Sequence, residues 1–167
     1  MRRAVQTIPE THSAMREAFE AHYVSLLRLG TALVGHRDVA EDLVQEAFVK
    51  AAPKLERLNS GETGPYLRKV VVNLSRDRFR RLAVEIRHLR KEARNEPDRS
   101  HSIEDRQMLW RSILRLPIRQ RACVVLRFYE GMSEAEVAEV LECAVGTVKS
   151  QTSRAITKLR KELGDED

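Results

Sequence analysis

Aromatic residues make up only 5% of this chain, and glycine and proline number 7 and 5, so there is little material for a β core and few points at which helices must break. There are two cysteines, Cys123 and Cys143, too few for a disulfide framework. Both fall in helical patterns, where buried free thiols are expected. His12, His22, His36, His88 and His101 are scattered, and no Cys or His stands at ligand spacing, so neither a metal site nor a cofactor is expected. No Ser/His, Cys/His or carboxylate pair is placed as a catalytic set, which argues against an enzyme. The longest stretch without a charge, Leu29 to His36, is far too short to cross a bilayer. Met1-Arg2-Arg3 opens as a signal peptide would, yet no apolar run follows. The expectation is a cytoplasmic chain with no membrane insertion.

What the chain does have is charge and helical periodicity. Charged residues are 33% of the total, which suits thin helical bundles with wet outer faces, and the net charge of +5 favours a polyanionic partner. Ala14, Met15, Ala18, Phe19, Tyr23, Leu26, Leu27, Leu33 and Val34 repeat every three to four residues, predicting a helix from about Thr11 that Gly35 closes. Asp38-Val39-Ala40-Glu41 has capping-box spacing, and the helix it opens is expected to run to Ala52 and stop at Pro53. Its inner face is Val39, Ala40, Leu43, Val44, Ala47 and Phe48, leaving Asp42, Gln45, Glu46 and Lys50 outside. Leu58 to Gly64 reads as a loop, and Pro65 suits the first turn of a helix reaching about Arg94. The polar, Pro-broken segment Asn95 to His101 is linker chemistry. Ser102 then caps a helix through Leu114, Pro117 starts one that ends at Gly131, and Ser133 to Glu136 forms a second capping box. The fold class is all-α: two small helical domains, residues 1–94 and 102–167, joined by a flexible linker at 95–101.

The last two helices carry the sharpest signal. A short capped helix to Leu141, a turn at Glu142-Cys143-Ala144 and a longer helix from Val145 to Leu163 make a helix-turn-helix, whose second helix enters the major groove. At 3.6 residues per turn, Val148, Thr152, Ala155, Ile156 and Leu159 share the inner side. Gly146, Lys149, Ser150, Ser153, Arg154, Thr157 and Lys161 share the outer side, and no carboxylate occurs from Val145 through Lys161. Small residues permit close approach to base edges, and the cations neutralise phosphate. An ordinary solvated face would mix signs. Here the acid lies on the preceding helix, at Glu134, Glu136, Glu139 and Glu142. Between Tyr66 and Arg94, ten basic residues face only Asp77, Glu85 and Glu92, which suits either a phosphate track or a solvated helix. Asn73, an amide in an apolar stretch, could cap, bond backbone, face water or recognise a base edge.

Six segments in this order and spacing resemble the extracytoplasmic-function (ECF) group of bacterial sigma factors. Asp38 to Ala51 is similar to that family's second conserved region, and Tyr66 to Asn73 with Asp77 and Arg78 to its promoter-melting portion. Leu116-Pro117, Val124 to Arg127, Gly131 to Ala138 and Val145 to Ser150 are similar to its fourth. The resemblance spans about Phe19 to Leu163. It implies a subunit that binds core RNA polymerase and directs promoter-specific initiation on duplex and melted DNA. It assigns Asp42, Gln45 and Glu46 to the polymerase. It assigns Asn59, Ser60, Gly61, Glu62, Thr63, Tyr66, Lys69, Asn73, Arg76, Asp77 and Arg80 to the downstream (−10) element and its melting. Lys149, Ser150, Ser153 and Arg154 are assigned to the upstream (−35) element. An anti-sigma factor is a further implied partner, and a C-terminal regulatory domain is not expected. Three positions depart from the pattern: Tyr66 stands where the family often has Trp, and Gln151 and Ile156 where many members have Arg. The alternatives are a stand-alone helix-turn-helix regulator of operator DNA, which gives no role to the Asp38 helix, and a helical adaptor without DNA dependence.

Overall fold

The computed structural model describes residues 10–89 and 104–164, with side chains over 13–82 and 107–164. Every regular element there is helical: α1 (Glu10–Val34), α2 (Arg37–Leu55), α3 (Ser60–Leu89), α4 (Glu104–Arg115), α5 (Ile118–Val124) running on through a π turn (Val125–Tyr129), α6 (Glu134–Leu141) and α7 (Val145–Leu163). The expected helix end at Arg94, the linker Asn95–His101 and the Ser102 cap lie outside the described residues.

Helices α1 and α2 bury most of the apolar faces that periodicity assigned to them, Phe19 excepted at 43% exposure, and α3 packs against both. Leu29, Leu33, Ala40, Val44, Ala47, Leu67, Val71 and Val72 are all at or below 1% exposure, forming a dry three-helix core. Gly35 closes α1 in the left-handed region (φ +84°), its N–H donating to Thr31 O at 2.8 Å. Gly64 marks a close approach of α3 to α1, because a Cβ there would lie 2.9 Å from the His22 ring.

Three local expectations give way. Helix α2 starts at Arg37, with extended His36 as an N-cap that makes no side-chain bond. Glu41 pairs with Arg37 at 2.9 Å rather than reaching back, and Asp38 sits in the first turn, where its charge suits the helix dipole. Pro53 does not stop the helix. It removes one N–H in the last turn, while buried Ala51 and Leu55 hold that turn against the core. Ser60 to Gly64 is not a loop either, but the first turn of α3, which puts Pro65 in the second turn. The backbone N–H of Asn59 donates to the Glu62 carboxylate at 3.0 Å, and the N–H groups of Glu62 and Thr63 donate to Asn59 O, so local capping outweighs loop-like composition.

Helix α5 and its π turn form the centre of the second group, with Ala122, Cys123, Val125 and Leu126 at 0–1% exposure, α5 packing on α7 and the π turn on α6. The expected Pro117-to-Gly131 helix is thus continuous but widened at its end, where the Glu130 N–H reaches Val125 O. The Ser133 capping box forms as expected: Ser133 Oγ accepts from the Glu136 N–H at 3.2 Å, and Glu136 accepts from the Ser133 N–H at 2.7 Å. Cys123 is buried and Cys143 half-buried, both as free thiols. Burial pushes the Cys123 thiol up to about 11, with neighbouring Cys143 adding to the shift, so it is protonated and inert at neutral pH.

The two helical groups pack on one another, α3 against α5 and α6, and α1 against α4, α5 and the π turn. The sequence left this placement open. At the junction each group lends an arginine to a helix C-terminus of the other. Arg121 is 6% exposed and donates to Leu33 O in the last turn of α1, and also to Leu114 O and Leu116 O in its own group. Arg76 on α3 donates at 3.2 Å to Leu141 O, the end of α6. Both cations meet the negative end of a helix dipole. Burial lowers the Arg121 guanidinium to about 10, which leaves it charged at pH 7, and it stacks 4.8 Å from the Phe79 ring centroid.

Candidate nucleic-acid interface

Helix α7 is held from behind by Val148, Ala155 and Leu159, all buried, which fixes what it shows in front. Lys149, Ser150, Ser153 and Arg154 are all exposed, as are Gly146, Thr157 and Lys161. The four assigned residues lie on one outward stripe. Its acid neighbour is on α6, where Glu134 Oε2 lies 3.7 Å from Lys149 Nζ. Arg154 has no ion-pair partner among the described residues. The Ser150 hydroxyl donates to Thr147 O at 3.0 Å, leaving its lone pairs outward. Ala144 is the N-cap of α7 and makes no side-chain bond. The Thr147 N–H donates to Ala144 O at 2.9 Å, while no side-chain oxygen caps the first turn, which leaves the N–H groups of Val145 and Gly146 for an outside acceptor. Gln151 and Ile156 are half-buried.

Helix α3 brings a second set together. Tyr66, Lys69, Asn73, Arg76 and Arg80 follow at spacings of three and four residues, and Asp77 lies four beyond Asn73, which puts all six on one stripe of a continuous helix. Tyr66 is half-buried, with Lys54 Nζ 5.1 Å from its ring centroid. Asp77 and Arg80 are exposed, 3.8 Å apart. Asn73 is half-buried and its Oδ1 lies 3.5 Å from Arg76 Nη1. Asn59, Ser60, Gly61 and Glu62 are exposed at the start of the helix, whereas Thr63 is buried and bonds Asn59 O at 3.2 Å. Lys69 of this stripe, and Arg68 beside it, meet acids. Lys69 Nζ lies 2.8 Å from Glu142 Oε1, and Arg68 Nε lies 3.1 Å from Glu130 Oε2, both acids coming from the second group. The Glu142 carboxyl is held below the usual carboxylate range by its bond to Lys69.

A third face, on α2, is acidic. Asp42, Gln45 and Glu46 are exposed in one row, with Glu46 paired to Lys50 at 3.0 Å. Val49 continues that row at 73% exposure, an apolar residue that the sequence reading did not single out. Arg121, Glu130 and Glu142 were also missed. The one signal for Glu142 was its place in a turn where glycine is usual.

Two family models match in the same order as these faces: Sigma-70 region 2 over residues 18–85 and Sigma-70 region 4 over residues 106–159. The ECF RNA polymerase sigma factor SigM of Mycobacterium tuberculosis is 31% identical over 152 residues, covering 90% of this chain and 78% of that one. The chain belongs to the ECF group of RNA polymerase sigma factors. The sigma-E factor of Streptomyces antibioticus is 35% identical over 146 residues, covering 86% of this sigma factor and 81% of its own length. Among solved structures, the sigma factor RpoE of Bartonella quintana, in complex with the anti-sigma factor NepR, shares the fold with a TM-score of 0.68 at 24% identity. That likeness covers 96% of this chain and all of the other. Because the matches span both helical groups, the stand-alone regulator reading is not favoured. Among the described residues, no group of three or more His, Cys, Asp or Glu side chains could hold a metal ion. No helix there is long and apolar enough to cross a membrane.

Proposed function

We propose that this sigma factor divides its work among three faces: Asp42, Gln45 and Glu46 on α2 bind core RNA polymerase, the α3 stripe captures and melts the downstream element, and α7 reads the upstream element as duplex. The observation that carries this reading is the exposed outer face of α7, which presents hydroxyls and cations with no carboxylate on it. Lys149 and Arg154 supply base-edge and phosphate contacts, Ser150 and Ser153 supply short hydrogen bonds, and the uncapped start of α7 takes a phosphate. On α3, Asn73 and Tyr66 hold an unstacked base, with Asn59 to Thr63 beside it. Lys69, Arg76 and Arg80 hold backbone, and Asp77 orients Arg80. Extruding a base costs on the order of a few kcal/mol, which favours A/T-rich sequence.

Residues 1–94 form the polymerase-binding and melting domain, residues 95–101 the linker and residues 102–167 the upstream-reading domain. The protein works in the cytoplasm as a non-enzymatic subunit, without a cofactor. An anti-sigma factor regulates it, a reading supported by the fold shared with a sigma factor solved in such a complex. The test is run-off transcription with purified core polymerase on a randomised promoter library. Transcripts that need both proteins and share two spaced elements are expected. Failure to bind core polymerase would remove the reading.

A further inference from the structure

Helix α2 runs on past Pro53 because Ala51 and Leu55, at 0% and 5% exposure, hold its last turn against the core. That extra stretch of helix places Lys54. Its Nζ lies 5.1 Å from the centroid of the Tyr66 ring on α3, so the end of one helix meets the start of the downstream stripe on another. Lys54 is exposed, and among the described residues no carboxylate pairs with it. Its basic neighbours are engaged: Lys50 with Glu46 at 3.0 Å, Lys69 with Glu142 at 2.8 Å, and Arg80 with Asp77 at 3.8 Å. Tyr66 is half-buried, and Leu67 beside it is at 0% exposure. The backbone that carries the ring is therefore fixed, and the ring's remaining freedom lies in its own side-chain dihedrals.

We propose that Lys54 is a further residue of the downstream reader: it holds the Tyr66 ring in position and takes a phosphate of the strand whose unstacked base that ring supports. This rests on the reading of α3 given above. A ring already oriented before the base arrives loses less freedom on binding, and an ammonium drawn to the ring's electron-rich face supplies that orientation. A nucleotide stacked on the ring carries its phosphate at the ring's margin. The flexible four-carbon stem of a lysine lets the ammonium reach that phosphate while staying beside the ring. Such a contact is a point charge on a phosphate, so it positions the strand and reads no sequence. Base discrimination stays with Asn73 and Tyr66. The downstream reader is then built across two helices, and α2 joins it to the proposed polymerase face at Asp42, Gln45 and Glu46.

The test is binding of a labelled A/T-rich single-stranded oligonucleotide to holoenzyme reconstituted from core polymerase and the full chain, measured over a series of salt concentrations. Lys54→Met should weaken binding about threefold or more at low salt. It should also flatten the slope of log affinity against log salt by about 0.7, the value for one phosphate contact on a single strand. Lys54→Arg should restore both readings, because a guanidinium also stacks on aromatic rings and binds phosphate. Arg16→Met removes the same charge from an exposed position on α1 and should leave affinity and slope near wild type. An unchanged slope in Lys54→Met, a loss that arginine does not restore, or an equal loss in Arg16→Met would overturn the proposal. Tyr66→Ala, measured alongside, separates the cases. If it weakens binding and Lys54→Met does not, the role of Lys54 alone is refuted, whereas wild-type binding by Tyr66→Ala refutes the downstream reading of α3 itself.

Discussion

The basic faces of α7 and α3 use the same chemistry and meet opposite fates. On α7, the acid that balances the cations sits beside the stripe at Glu134, 3.7 Å from Lys149, and leaves the stripe exposed. On α3, the balancing oxygens come from another part of the fold and lie across the cations, at 2.8 to 3.2 Å. Charge on a helix therefore indicates the kind of ligand it suits, but the tertiary contact decides which oxygens it meets within the fold. Helix α6 is common to both, since its first turn flanks α7 and its last turn meets α3.

The largest effect should come from the open face. With a bidentate base contact worth roughly 1–3 kcal/mol, reversing charge at both Lys149 and Arg154 should lower promoter-directed transcription about a hundredfold or more. Gel filtration with core polymerase should show assembly unchanged, because the polymerase face proposed above, Asp42, Gln45 and Glu46, lies on a different element. If initiation persisted, the distinction between the two faces would lose its functional meaning.

Arg121 tests the packing of the second group on the first. Replacing it with Met leaves the carbonyls of Leu33, Leu114 and Leu116 without their donor in a buried junction, for a loss of about 3 kcal/mol in chemical denaturation. The radius of gyration from small-angle scattering should grow as well. A variant that unfolds more easily without expanding would show that Arg121 serves its own helical group only.

A smaller change should follow from Asn73→Ala. Loss of a side chain that supports an unstacked base is worth roughly 1–3 kcal/mol, so open-complex formation on a cognate promoter should drop about tenfold. On a promoter supplied already melted the deficit should narrow, while binding to an upstream-element duplex should be indifferent. Loss on the duplex as well would place Asn73 in the scaffold rather than in the stripe.

How far the sequence carried these faces depends on the range of the forces involved. Period-3.6 patterning found α1, α2 and the buried side of α7, because burial of one stripe is a local requirement that a single helix records. The Ser133 box was legible for the same reason. Loop-like composition at Ser60 to Gly64 misled, since Asn59 and Glu62 cap the helix there whatever the glycines prefer. Pro53 misled because a proline in the last turn breaks little when Leu55 behind it is buried. Arg121, Glu130 and Glu142 stayed invisible as partners, for their oxygens and cations lie on elements distant in sequence. The polar stripe of α3 was thus readable, and the acids that meet it were not.

The smallest effect concerns the start of α6, the element that serves both faces. The Ser133 hydroxyl accepts from the Glu136 N–H, and its removal in Ser133→Ala should cost about 1 kcal/mol. The Glu136 carboxyl is held below the usual glutamate range, first by the Ser133 side chain and then by the Ser133 backbone N–H. A carboxyl lowered on folding contributes stability that is complete above its unfolded value and disappears as pH falls through its folded one. The gap in melting temperature between wild type and Ser133→Ala should therefore be widest near neutral pH and narrow as acid protonates the glutamate. A gap that held constant across that range would assign the whole effect to the neutral hydroxyl bond, and would remove charge from the account of how α6 is kept in place between its two neighbours.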